Sequence, residues 1–286
     1  MTDAGSSLRQ ALGEIAQLLQ KAGIERARAE ARLLAAHALG LSIEQIVADD
    51  GRLIGSTELD RLRTLATERA RRRPMSQILG YREFYGRRFD VTPDVLTPRP
   101  DSETLIDAVL DHVADCGTSL EILELGVGTG CLLLTLLAEL PQARGVGVDL
   151  SAKALQVARG NAAALGLAGR CRLVQGDWTN AITGKFDLVI SNPPYIPSAD
   201  IAGLDPEVAT HEPRLALDGG ADGLSFYRRL AGDIARLLRP QGLLALEVGE
   251  GQARPVAALL AAAGIEVLEQ RRDLAGIERC VLGRKT

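Results

Sequence analysis

Leu8, Leu12, Ile15 and Leu18/Leu19 recur at spacings of three and four, the stripe of an amphipathic helix that Ser6 or Ser7 can cap and Gly23 can end. A second helix is expected over about 26–39, closed by Gly40. Ser42-Ile43-Glu44-Gln45 reads as a capping box, in which hydroxyl and side-chain amide each satisfy a free backbone N–H and open a short third helix. A fourth covers about 57–72. The stretch from Ser7 to Ser76 therefore predicts a small helical bundle without a cluster of catalytic residue types.

The pattern then changes. Residues 81–91 place Tyr81, Phe84, Tyr85 and Phe89 on both sides of Gly86, which predicts a β-hairpin that reserves its aromatic surface for contacts. Beyond Pro98-Arg99-Pro100 helix and strand alternate: helix 101–114, strand 121–125, helix 129–139, strand 145–149, helix 152–165, strands 171–175 and 186–191, helix 223–238, strand 242–248, helix 253–262, and strands 265–270 and 278–283. Strands separated by helix-length crossovers pair in parallel, so the expectation is a doubly wound α/β sheet, mostly parallel. The short Asp273-Leu274-Ala275-Gly276 connection makes the final pair antiparallel. The organisation read from the pattern is a helical bundle over 1–76, a hairpin linker over 77–97 and the sheet domain over 98–286.

Composition narrows the classes. With 286 residues, 46% hydrophobic and 24% charged, the chain has no apolar run near the ~18 residues that span a bilayer. Met1-Thr2-Asp3-Ala4-Gly5 lacks a basic segment followed by an apolar one, so a cytoplasmic location is expected. Cys116, Cys131, Cys171 and Cys280 are far apart, without a Cys-x-x-Cys pair, and there are three histidines; neither a disulfide framework nor a metal site is expected. The cysteines read as small buried or half-buried residues. A net charge of −4 argues against nonspecific nucleic-acid binding, and the balance is 15 basic to 13 acidic residues up to residue 95 against 18 to 24 thereafter.

Chemistry concentrates at strand ends. Ile122-Leu123-Glu124-Leu125-Gly126-Val127-Gly128-Thr129-Gly130 sets three glycines at alternate positions between strand and helix, where a ligand can approach bare backbone N–H groups. The dinucleotide spacing Gly-x-Gly-x-x-Gly is not met, which favours a nucleoside without a pyrophosphate. Asp149, at the next strand end, can accept from a ribose diol; Ser151 reads as an N-cap. Asp177 and Trp178, the single tryptophan, follow the third strand and suit an adenine amino group and ring. Each feature alone also fits a tight turn, but three successive strand ends converge on the crevice where open α/β sheets bind ligands.

The fourth strand ends in Asn192-Pro193-Pro194-Tyr195. An amide or aromatic-amine nitrogen is a poor nucleophile because its lone pair is delocalised, so attack on a methyl sulfonium needs that nitrogen held in line. The Asn192 side-chain oxygen and the Pro193 carbonyl can accept its two N–H bonds, the prolines stiffen the loop, and Tyr195 offers a flat face. The proton becomes acidic after transfer, so no titrating base is required. A plain Pro-Pro turn is the bland alternative.

From about Pro74 to Gly283 the chain resembles the peptide chain release factor N5-glutamine methyltransferase (PrmC/HemK) family of class I S-adenosylmethionine-dependent enzymes. The resemblance rests on Ile78-Leu79-Gly80 with the aromatic hairpin, Thr97-Pro98-Arg99-Pro100-Asp101-Ser102-Glu103, the glycine loop and Asn192-Pro193-Pro194-Tyr195. It continues in His211-Glu212-Pro213-Arg214-Leu215-Ala216-Leu217-Asp218-Gly219-Gly220, Asp222-Gly223-Leu224 and Asp273-Leu274-Ala275-Gly276-Ile277-Glu278-Arg279. It implies a Rossmann-like class I methyltransferase sheet with an antiparallel last strand. It also implies that Gly126, Val127, Gly128, Thr129, Gly130, Asp149, Trp178 and Asn192 bind S-adenosylmethionine, with Glu124 and Asp177 as secondary candidates, and that Asn192, Pro193, Pro194 and Tyr195 hold the substrate and carry the catalysis. The implied reaction methylates the glutamine of the Gly-Gly-Gln loop of release factors, giving S-adenosylhomocysteine. The implied protein is a cytoplasmic monomer acting on a protein partner, with no nucleic acid, membrane or metal, and its front helices and hairpin help grip the substrate. Glu124 stands where the family more often has Asp, and Ser102 where Thr is usual; both keep the functional group.

Three alternatives stay open at this point: a glutamine methyltransferase acting on a ribosomal protein, an adenine-N6 DNA methyltransferase, and a non-catalytic nucleoside-binding adaptor. Arg69, Arg71, Arg72 and Arg73 read as a solvated basic run at a helix end rather than a docking patch. Glu247 and Glu250, flanking Gly249, read as strand-end structure rather than a second carboxylate site. Arg99 and Glu103 are expected to order a domain junction.

Overall fold

A computed structural model describes residues 6–113, 117–180 and 182–286. Cys116 lies outside the described residues. No described helix is long and apolar enough to cross a membrane. The chain forms two compact units: residues up to Gly80 together with Asp205–His211, and Tyr81–Leu204 together with Glu212–Thr286.

In the first unit, β1 (Ser6–Ser7) leads into α1 (Leu8–Lys21), followed by α2 (Ala27–Leu39), α3 (Ile43–Ala48), β2 (Leu53–Ile54), α4 (Ser56–Ala70) and α5 (Met75–Leu79). The predicted caps are present: Ser7 and Ser42 form capping boxes with Gln10 and Gln45, and Gly40 closes α2 in the left-handed conformation. Leu8, Leu19, Leu34, Ile46 and Leu62 are fully buried along the shared seam, each contributing roughly 1.5–3 kcal/mol relative to exposure. Periodicity did not reveal the two-residue β1–β2 pair or α5, both shorter than the window a 3.6-residue repeat needs.

The basic run is not uniformly solvated. Arg69 is 6% exposed and pairs with Glu30 at 2.6 Å and Glu207 at 2.8 Å, and Arg72 pairs with Glu207 at 2.6 Å. Arg71 does lie outward and Arg73 is half-buried, both paired to Glu68. Two carboxylates meeting one guanidinium fork explain why Arg69 is tolerated inside.

The second unit opens with the hairpin β3 (Tyr81–Phe84) and β4 (Arg87–Asp90), turned at Tyr85 and Gly86 with φ of 50° and 68°. Positive φ at both central residues matches the twist of a two-residue hairpin. Its aromatic surface is only partly held for contacts: Phe84 and Phe89 are buried in the core beside α6 (Glu103–His112), and only Tyr81 and Tyr85 are half-exposed. There follow β5 (Glu121–Leu125), α7 (Cys131–Glu139), β6 (Arg144–Asp149), α8 (Ala152–Ala164), β7 (Cys171–Gln175) and β8 (Phe186–Ser191). Helix α9 (Pro206–His211) belongs to the first unit, and the chain ends with α10 (Ser225–Leu237), β9 (Leu238–Glu247), α11 (Ala253–Ala262), β10 (Ile265–Arg272) and β11 (Glu278–Lys285).

The seven strands of the second unit are ordered β10-β11-β9-β8-β5-β6-β7, with β11 antiparallel to both neighbours and the rest parallel. This is the Rossmann-like sheet expected. The chain runs from β5 outward through β6 and β7, then returns to β8 on the other side of β5, so the order reverses between β5 and β8. Open α/β sheets bind ligands in the crevice beyond the strand ends at such a reversal.

Residue parity decides what faces that crevice. Ile122 of β5, Leu188 and Ile190 of β8, and Leu243 and Ala245 of β9 share one core with α6 and α7; Leu123, Leu125, Val189, Leu244 and Leu246 share the other with α10 and α11. Side chains alternate faces with period two. Glu124 and Glu247 therefore fall on the α6–α7 face, at the carboxyl ends of their strands.

Candidate active site

A cavity of about 270 Å³ opens at the reversal, near the lower end of the range for ligand pockets. Glu124, Gly126, Val127, Gly128 and Thr129 line one wall, and Asp149, Trp178, Asn192 and Pro194 line others. Gly130, Asp177, Pro193 and Tyr195 do not line it. Asp177 is instead engaged outside, pairing with Arg229 at 2.8 Å and 3.0 Å, so the acceptor expected for adenine is committed elsewhere.

The glycine loop is pinned to the end of β6, so the N–H groups of Gly126, Val127 and Gly128 are not the bare donors expected, and what the loop offers a ligand is close approach. Gly126 and Val127 N–H groups both donate to the Val148 carbonyl at 2.9 Å, and Gly126, Gly128 and Gly130 have φ of 74°, 52° and 81°. A Cβ on Gly126 would stand 3.2 Å from the Trp178 ring. The Trp178 ring in turn packs on Phe226, with centroids 4.3 Å apart. Buried Asn161, which sequence reasoning did not single out, donates to the Thr129 carbonyl at 2.9 Å and accepts from Asp90 N–H at 2.8 Å, tying the loop to the hairpin.

Asp149 is fixed by two backbone donors, Gly128 N–H and Ser151 N–H, each at 2.9 Å and each to a different oxygen. A carboxylate oxygen has two lone pairs, so one on each stays available. Ser151 does cap α8, accepting from Ala154 N–H. Glu124, 2% exposed, accepts from Leu133 N–H at 3.0 Å; burial pushes its carboxyl well above the usual range, against that hydrogen bond. Cys131, also lining the cavity, has its thiol pushed up by burial to about 12, so it is not a nucleophile at neutral pH.

Beyond β8, Ser191 donates to the Leu125 carbonyl at 2.7 Å and locks the two central strand ends together. Asn192 donates through Nδ2 to Ser102 Oγ at 3.1 Å, and Ser102 donates to Glu247 Oε2 at 2.5 Å. The Tyr195 hydroxyl donates to Glu247 Oε1 at 3.4 Å, and burial moves that hydroxyl's pKa upward. Glu247 is 1% exposed, and burial raises its carboxyl to about 7, opposed by the Ser102 bond and Arg279. It is therefore more than strand-end structure, whereas nothing comparable involves Glu250.

The sequence stretch from Glu212 to Leu224 packs against the tetrapeptide. Ile196 N–H donates to the Leu217 carbonyl and Gly219 N–H to that of Ile196, while Cβ atoms on Gly219 and Gly223 would strike the backbone of Pro194 and Tyr195 at 2.8 Å and 2.2 Å. Gln252 donates to the Tyr195 carbonyl at 2.9 Å. Glu212 anchors the segment that brings Pro213, Leu215 and Ala216 to the cavity lining: its carboxylate accepts from Arg99 at 2.5 Å and from Thr97 N–H at 3.3 Å. Arg99 and Glu103 thus order the second unit itself, Glu103 by accepting from Tyr85 N–H at 2.8 Å.

Two family models match the chain: the PrmC N-terminal domain over residues 10–80 and the methyltransferase small domain over 101–203. A release factor glutamine methyltransferase of Rhodospirillum rubrum is 51% identical over 93% of this chain and 82% of its own length. The chain belongs to the release factor glutamine methyltransferase family. A second relative of that name, from Caulobacter vibrioides, is 46% identical over 93% of this chain and 92% of its own. Among solved structures, a Pyrococcus furiosus methyltransferase aligns with a TM-score of 0.51 at 17% identity, covering 71% of this chain and 90% of its own. The hMettl16 catalytic domain, solved with an RNA hairpin, aligns at 0.57 and 16% identity over 82% of this chain and 84% of its own. At those identities the likeness is one of fold.

Proposed function

We propose that this protein transfers a methyl group from S-adenosylmethionine to the side-chain amide nitrogen of the glutamine in the Gly-Gly-Gln loop of release factors. The observation that carries the reading is the position of Asn192. It lines the same cavity as the glycine loop at the β5–β8 reversal, and its side-chain oxygen has no protein partner among the described residues.

The residues fit the cofactor. Gly126–Gly128 leave backbone close to the cavity, the remaining lone pairs of Asp149 match a ribose diol, and the Trp178 ring offers an apolar wall. When bound, S-adenosylmethionine supplies an electrophilic methyl on a positively charged sulfur.

The chain's own groups do the positioning. Asn192 Oδ1 and the Pro193 carbonyl accept the two N–H bonds of the substrate amide, which aims the nitrogen lone pair at the methyl carbon. Held in this way, the amide nitrogen would take the methyl that the bound donor supplies, and its proton would then leave to water without a dedicated base. Because the sulfonium charge disappears in the step, alignment and desolvation supply the acceleration. The helical first unit serves as a docking element for the release factor, and the protein works in the cytoplasm as a monomer. Incubating the protein with S-adenosylmethionine and purified release factors tests the reading: the intact mass of a release factor should rise by one methyl. Label entering a ribosomal protein or DNA instead would overturn it.

A further inference from the structure

We propose that Ser102 and Glu247 form a positioning relay that fixes which end of the Asn192 amide faces the substrate. The proposal rests on the reading above and extends it to residues that do not touch substrate.

An asparagine side chain offers one donor end and one acceptor end of nearly the same shape, so only its partners decide which points where. Asn192 needs its acceptor end in the cavity; the reverse orientation would set an NH2 group against the N–H bonds of the substrate amide. Nothing in the Asn192-Pro193-Pro194-Tyr195 loop itself selects one of the two.

The selection comes from behind. Ser102 Oγ lies 3.1 Å from Asn192 Nδ2 and 2.5 Å from Glu247 Oε2. A hydroxyl has one proton, and the ionised Glu247 carboxylate, the form that prevails above about pH 7, only accepts. The Ser102 proton therefore goes to Glu247, leaving Ser102 Oγ only lone pairs to offer Asn192. A lone pair accepts from Nδ2 and repels Oδ1, so Oδ1 is driven to the cavity side. The second Glu247 oxygen receives the Tyr195 hydroxyl, so one carboxylate orders both ends of the tetrapeptide. Glu247 is itself pinned by its backbone, whose carbonyl accepts from the buried Tyr227 hydroxyl at 2.7 Å.

The sheet supplies the placement. Glu247 ends β9 on the α6–α7 face, and Ser102 sits immediately before α6 on that same face, 145 positions earlier. Both are buried, 1% and 2% exposed, so water does not compete for the relay. Neither lies in the glycine loop; Ser102 lines the cavity beside Asn192, and Glu247 does not line it. Because the contact runs to Asn192, the relay is expected to act on the methyl-transfer step, and the cofactor Kd is the check on that.

The test is a kinetic comparison at pH 8, where Glu247 is ionised, with release factor as substrate, beside calorimetric binding of S-adenosylhomocysteine. Ser102→Ala should lower kcat by about ten- to a hundredfold, the scale of a misaimed reacting group. Its S-adenosylhomocysteine Kd should stay within about twofold. Ser102→Thr, which keeps the hydroxyl, should stay near wild type, and this rescue separates the relay from a packing role. In an Asn192→Ala background, Ser102→Ala should cost nothing further, since an interaction routed through one partner vanishes when that partner is gone. Glu247→Gln, which can still accept from Ser102 through its amide oxygen, should retain more activity than Glu247→Ala, with both checked for folding by circular dichroism. An unchanged kcat in Ser102→Ala, an equal loss in the Asn192→Ala background, or a loss shared by Ser102→Thr would overturn the relay. Wild-type protein inactive on release factors but still binding S-adenosylhomocysteine would instead sink the assigned substrate.

Discussion

Arg69 and Glu207 stand 138 positions apart in the chain and meet at 2.8 Å, with Glu30 closing on the other edge of the same guanidinium. Helix α9 is thereby held to the helical unit by charge. Neighbouring Arg69 and Arg72 hold the Glu207 carboxyl below its usual range although its partial burial pushes the other way. Removing one member of a buried cluster leaves the rest unpaired, which typically costs about 3–5 kcal/mol. Arg69→Ala should lose that much in urea unfolding, whereas the exposed Arg71→Ala should lose less than about 1 kcal/mol. Equal and small effects at both positions would remove Arg69 from the account of the fold.

Asp149 gives a prediction about cofactor binding. Its two oxygens are preset by Gly128 and Ser151 N–H groups, so no ordering remains to be done when a diol arrives. Asp149→Ala should weaken S-adenosylhomocysteine binding by about ten- to a hundredfold, the size of losing charge-assisted hydrogen bonds. Isothermal titration reads this directly, and a change under about twofold would contradict the assignment.

Glu247 predicts a pH dependence of stability. Its carboxyl titrates at about 7 in the folded protein against an ordinary value of 4.5, chiefly through burial. Between those values the native state keeps a proton that the unfolded chain has shed, so stability falls as pH rises through the window and levels off above about 7. The gap corresponds to on the order of 3 kcal/mol. Glu247→Gln lacks this slope, so unfolding free energies of variant and wild type should converge near pH 4.5 and separate by pH 8 in favour of the variant. Parallel curves would contradict the raised value.

Gly223 predicts that the tetrapeptide is positioned from outside itself. Its φ is 75°, and an added Cβ would stand 2.2 Å from the Tyr195 carbonyl oxygen. Gly223→Ala must displace that backbone, and a shift near 1 Å costs about a hundredfold in rate. Gly232, on α10 with open space around its Cβ position, is the control: Gly232→Ala should leave kcat unchanged and raise stability by roughly 0.5–1 kcal/mol. Loss of activity in both, or in neither, would count against the role given to Gly223.

Much of this was legible in the sequence because buried strands and capped helices obey local rules. The strands over 121–125, 171–175 and 186–191 fall where apolar runs end in glycine, aspartate or proline, and the α2 and α3 ends follow from Gly40 and Ser42. The glycine loop, Asp149, Trp178 and Asn192 were legible for the same reason, each sitting at a strand end. What stayed hidden depends on neighbours in space. The Ser102–Glu247 contact requires knowing that β9 lies beside β8 and that both residues share a sheet face, which no periodicity reports. Asp177 was read as a ligand acceptor because its partner, Arg229, lies 52 positions away on another element. Arg69 read as solvated because the carboxylates that bury it lie 39 and 138 positions away.

The central claim is that Asn192 presents an acceptor to a glutamine amide poised for methylation. Fragment-ion mass spectrometry of a release factor, after incubation with S-adenosylmethionine and either wild-type protein or Asn192→Ala, tests it most directly. One methyl is expected on the side-chain nitrogen of the Gly-Gly-Gln glutamine with wild type, and at least about a hundredfold less with the variant when both proteins are saturated with cofactor. A methyl found on any other atom, or the same yield from both proteins, would contradict it.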